Sequence, residues 1–74
     1  MWNLFISICT SAGLCAWFEV TNPTVYKTER ECVLKGQIIV DKVVEDTQTK
    51  YGKVNCIEHR YADEYRTWLY EQSK

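Results

Sequence analysis

The chain has 74 residues, a formal net charge of −1 and four cysteines, enough for one domain with one modest core. Acids and bases are interspersed rather than blocked, so the basic stripe that nucleic-acid binding requires is missing and no nucleic-acid partner is expected. At this size a single core contributes about 3–5 kcal/mol, and a staple, a metal or a partner is often recruited.

Residues 1–20 are apolar in part, yet they lack the pattern of an export signal. No Lys or Arg precedes Lys27, and Asn3, Ser7, Thr10 and Ser11 interrupt the run. Leu14 stands before Cys15, where a lipoprotein site needs a small residue. A membrane-spanning helix needs about 20 mostly apolar residues, so no membrane association is expected. The segment reads instead as a hairpin over about 2–20. Trp2, Leu4, Ile6 and Ile8 alternate with Asn3, Phe5, Ser7 and Cys9, the period of a half-buried strand. After a loop holding Gly13, Ala16, Phe18 and Val20 share one face, and Cys15, Trp17 and Glu19 the other. A five-residue loop sets Cys9 opposite Cys15. Pro23 then ends the sheet, because it cannot donate to a ladder and biases Asn22 away from helix.

Thr28 and Glu31 form a capping-box signature that opens the main helix, expected over about 29–51. Cys32, Gly36, Ile39, Val40, Val43, Thr47 and Tyr51 recur at spacings of three and four and make one face. Gly52 is read as its stop signal. Gly36 costs about 1 kcal/mol relative to Ala, which points to a close approach of helix to sheet, beneath a tryptophan. The β-branched run Ile38-Ile39-Val40 and Val43-Val44 is the competing strand signal. A third strand follows over about 53–59, with Val54 and Cys56 on one face and Asn55, Ile57 and His59 on the other. A short helix over about 63–72 carries Tyr65, Trp68 and Leu69 in step with Tyr61. The expected fold is therefore α+β, a β-β-α-β core with a short C-terminal helix. The main helix should pack on the Trp2/Leu4/Ile6 face. The terminal helix covers Phe5, Trp17 and Ile57 behind the sheet or projects toward another chain, and Trp68 and Leu69 are expected to close that second face.

Four cysteines permit three disulfide connectivities. Geometry favours Cys9–Cys15 across the hairpin and Cys32–Cys56 from helix to third strand; the longer loop would stabilise by roughly 3 kcal/mol in the chain-entropy model. Against this, a cytosolic chain usually keeps its thiols reduced, and free Cys packs well as a small hydrophobe. Bonded and free both stand at this point. Structural zinc sites use ligand pairs two to four residues apart, a spacing these cysteines lack. His59 lies three residues from Cys56 on a strand, so the two point to opposite faces. No metal or cofactor is expected. Glu29, Arg30 and Glu31 read as a dipole-matched first turn, and Lys42, Glu45, Asp46 and Lys50 as the solvated side of the main helix. With no phosphate loop and no nucleophile motif, catalysis is not expected.

The layout resembles a broad type of small protein common in marine bacteriophage genomes and in some proteobacteria. The likeness rests on Ile6-Ser-Ile-Cys9 to Cys15, on Tyr26-Lys-Thr28-Glu-Arg-Glu-Cys32, on Gly36 and on Val54-Asn-Cys56-Ile. It covers roughly residues 4–58, implies a ββαβ core with a Cys32–Cys56 pairing or contact, and brings no activity with it. The expected location is cytoplasmic, the host cytoplasm if the chain is phage-encoded, with secretion the lesser alternative.

Two functional classes follow. The first is a non-catalytic interaction protein, of the phage accessory kind, that binds a host or phage protein through the C-terminal helix or a sheet edge. Tyr and Trp dominate interface hot spots, and Tyr61 and Tyr70 are the residues expected to stay available to a partner. An unpaired sheet edge also opens the route to a homodimer. The second is a thiol-dependent protein, metal-binding or redox-responsive, built on Cys9, Cys15, Cys32 and Cys56.

Overall fold

The computed structural model describes residues 1–46 and 49–72. Strands β1 (Trp2–Thr10) and β2 (Cys15–Glu19), helix α1 (Glu29–Asp46), strand β3 (Thr49–Glu58), a 3₁₀ turn (His59–Tyr61) and helix α2 (Ala62–Gln72) follow one another. The three strands form an antiparallel sheet in the order β2-β1-β3, with the two helices on opposite faces. This is the expected α+β domain.

The alternation in β1 decides which helix each residue meets. Leu4 and Ile6 join Tyr26, Cys32 and Val40 in one buried cluster beneath α1, while Phe5 joins Ala62 and Leu69 beneath α2. Because both faces are covered, Asn3, Leu4, Phe5 and Ile6 are all buried. The half-buried reading of this strand is therefore too mild for its first half. A fully buried side chain of this size contributes about 1.5–3 kcal/mol, so β1 is the energetic centre of the molecule.

Helix α1 starts where the cap signal places it. The Glu31 amide donates to Thr28 Oγ1 at 3.1 Å, satisfying one of the orphan donors of the first turn. Its end differs from expectation. The helix stops at Asp46 rather than near Tyr51, and β3 begins at Thr49 rather than Lys53. Tyr51 and Gly52 are strand residues opposite Cys9 and Ile8, and Tyr51 is exposed. Lys50 likewise belongs to β3, not to the helix. Thr47, expected on the helix face, and the side chain of Asp46 lie outside the described residues. Pairing explains the difference: a longer β3 gives every residue of β1 a partner, from Trp2–Glu58 to Thr10–Thr49. Ladder bonds outweigh the weak preference of these residues for helix.

Two glycines set the distance between α1 and the sheet. A Cβ on Gly36 would lie 2.5 Å from Val54 Cγ1 and 2.9 Å from Leu4 Cδ1. The close approach is as expected, but the neighbour is Val54, not a tryptophan. A Cβ on Gly52 would lie 2.8 Å from Val40 Cγ1, so this residue makes room under the helix rather than ending it.

Both disulfides are formed, Cys9–Cys15 across the hairpin and Cys32–Cys56 between α1 and β3. The first joins residues directly opposite in the ladder. The second lies in the core, where Cys32 is fully buried.

Candidate interaction surface

Helix α2 is short, and local and tertiary contacts together hold it. Asp63 and Glu64 occupy its first turn, where negative charge matches the helix dipole. Arg66 bridges back to Asp63 and reaches across to Glu19 on β2, its Nε donating to Oε1 at 2.9 Å and its Nη2 to Oε2 at 3.0 Å. This two-pronged contact fixes both register and rotation of the helix. The hydrogen bond to Glu19 raises the Arg66 pKa above its ordinary value, against an opposing push from burial.

Behind that contact lies a polar chain that sequence reading missed. Asn3 is 1% exposed. Its amide nitrogen donates to Glu19 at 3.3 Å and to the Thr24 carbonyl at 3.5 Å, and its oxygen lies 2.8 Å from His59 Nδ1. His59 is thus an anchor of the 3₁₀ turn rather than an ordinary strand residue. The signal that would have found the group is parity: Asn3 and Glu19 fall on the Phe5 face of their strands, and His59, just past the end of β3, continues the parity of Asn55 and Ile57 on that face.

Rings then tile the α2 side. Phe5 meets Tyr65 edge-on at 4.9 Å and Trp17 at 6.1 Å. Tyr65 stacks on Trp68 at 5.9 Å, and Trp17 meets Tyr70 edge-on at 5.3 Å. Burial raises the pKa of the Tyr65 hydroxyl. Leu69 closes the second face as expected, but Trp68 does not: it is 51% exposed. The rings of Trp68 and Tyr70 are therefore open to solvent yet held by inner aromatic neighbours.

Tyr61 is 48% and Tyr70 61% exposed. Each has a contact within the fold: the Arg60 guanidinium lies 4.8 Å from the Tyr61 ring centre, and Tyr70 touches Trp17. Within α2, Trp68 and Tyr70 are two residues apart, about 200° at 100° per residue, so they lie on opposite flanks. Between the flanks runs an acidic strip, and Asp63, Glu64, Thr67, Trp68 and Glu71 line a shallow recess of about 360 Å³.

A second exposed patch lies on α1, where Leu34 and Ile38 are 56% and 52% exposed on its outer side. Sequence reading took that side to be polar. Among the described residues no group of three or more His, Cys, Asp or Glu is placed to hold a metal ion, and no helix is long and apolar enough to cross a membrane. No protein-family model, curated protein or solved structure matches this chain.

Proposed function

We propose that the protein is a disulfide-stapled interaction module that docks a partner protein on the outer surface of α2. The observation that carries this reading is the set of open but braced rings: Trp68 stacked on Tyr65, Tyr70 against Trp17, and Tyr61 beneath Arg60. Rings already ordered in the free protein lose little entropy on binding, and Trp and Tyr are the commonest interface anchors. The aliphatic pair on α1 is the weaker candidate, since Leu is under-represented among hot spots. The acidic strip between the rings favours a partner with a basic rim. Given the resemblance of the chain to phage proteins, that partner is a host or phage protein.

The test is replacement of Tyr61, Trp68 and Tyr70 with Ala, followed by capture of partners from a lysate of the cells that express the chain. All three are about half exposed or more, so the circular dichroism spectrum should persist while capture is lost. Capture of the same partners by the variant would remove this surface from consideration.

One observation favours a second reading, a redox-responsive protein: Cys15 is exposed on an edge strand, so its bond with Cys9 is open to a thiol reductant. Under this reading, reducing that bond changes partner binding. Equal binding in the oxidised and singly reduced states would dispose of it.

A further inference from the structure

The hydrogen-bond parity of the sheet shows which groups its outer edge presents. The Val20 amide donates to the Leu4 carbonyl, Thr10 to Leu14, and Trp2 exchanges both bonds with Tyr26. Even-numbered residues of β1 thus turn their main-chain groups toward β2 and Tyr26, and odd-numbered ones toward β3. The Met1 carbonyl, which accepts from His59, follows the same rule. On β3, residues 51, 53, 55 and 57 therefore bond inward, while Gly52, Val54 and Cys56 turn their N–H and C=O groups outward; Glu58 is the N-cap of the 3₁₀ turn, so its carbonyl serves that turn and only its N–H faces the edge. No strand lies beyond β3 among the described residues. This is the longer of the two sheet edges, ten residues against five.

We propose that this edge pairs with the same edge of a second copy, antiparallel about a two-fold axis at Val54, making one continuous six-stranded sheet. The argument for a second copy is self-complementarity. With Val54 opposite its own counterpart, Gly52 faces Cys56, Lys53 faces Asn55, Tyr51 faces Ile57 and Lys50 faces Glu58, each pair occurring twice by symmetry. Opposite charges and aromatic–aliphatic pairs directly across a ladder are favourable, and like charges are not. The neighbouring registers are worse. A shift that centres on Lys53 sets that lysine against its own counterpart. A shift that centres on Asn55 sets Lys53 against Ile57 and removes Glu58 from Lys50. The register change between Cys9 and Thr10 leaves Lys50 with no partner residue on β1, and its side chain is exposed; Glu58 already accepts from Arg60 Nε through Oε2 at 2.9 Å, so its carboxylate would be shared between Arg60 and the Lys50 of the second copy.

This proposal is independent of the α2 surface, which lies on a face of the sheet and not on this edge.

Sedimentation equilibrium of the oxidised full chain, from micromolar to near-millimolar concentration, tests it. A monomer–dimer equilibrium is expected. Lys50→Glu alone and Glu58→Lys alone should each raise the dimer Kd about tenfold, and the double reversal should restore it to within a few-fold. Circular dichroism confirms that each variant is folded. A monomer at every concentration would overturn the proposal and make Lys53 a guard against edge pairing. A dimer indifferent to the single reversals, or one the double reversal fails to restore, would overturn it equally.

Discussion

Gly36 shows how far one residue can be read from sequence. Its place on the apolar face of a helix announced a close approach, but only the fold reveals that Val54 and Leu4 fill the space. Ala is the better helix former by about 1 kcal/mol, while overpacking a tight contact costs about 1–3 kcal/mol. With a Cβ at 2.5 Å from Val54 Cγ1, the clash should win, and Gly36→Ala should lower the urea midpoint. A midpoint above wild type would mean that helix and sheet separate easily. Tyr26 carries the opposite expectation. Its hydroxyl is buried with no hydrogen-bond partner among the described residues, and such a group costs about 1–3 kcal/mol. Tyr26→Phe should leave stability equal or raise it, and a clear loss would reveal a bond the fold does not show. Of the Asn3–Glu19–His59 group only the shared parity was legible; its members are far apart in sequence, and that they meet is fixed by the strand register.

Element types were legible, and element ends less so. The hairpin register followed from a five-residue loop, and the start of α1 from Thr28. Thr28→Ala should cost about 1 kcal/mol, typical for a lost N-cap, read by thermal unfolding. An unchanged midpoint would mean that the Cys32–Cys56 bond holds the first turn unaided. The end of α1 was misread because Val43 and Val44 continue the helical pattern and Gly52 imitates a stop signal. The real use of Gly52, space for Val40, is a tertiary fact with no local signature. The orientation of α2 was legible from Leu69 but not from Trp68. Periodicity identifies which residues share a stripe, and packing decides how far round the buried stripe extends.

At the scale of the molecule, two helices and two disulfides clamp a three-stranded sheet, and the staples divide by accessibility. Cys32 is fully buried while Cys15 is exposed, so mild reductant should open Cys9–Cys15 first. Alkylation of Cys32 and Cys56 ahead of the hairpin pair, seen by peptide mass spectrometry, would contradict that order. Replacing Cys32 and Cys56 together with Ala should cost about 3 kcal/mol, the loop-closure value for this bond, a large share of what so small a core supplies. The connectivity was favoured in advance by geometry, whereas the redox state was open until the fold placed the sulfurs in bonding contact. The central claim is that this stapled sheet holds the α2 rings ready for a partner. The most direct test is hydrogen exchange of the chain, free and in complex with a captured partner protein. The account predicts added protection over residues 61–72, with α1 unchanged. Protection centred on Leu34 and Ile38, with α2 exchanging as in the free protein, would contradict it.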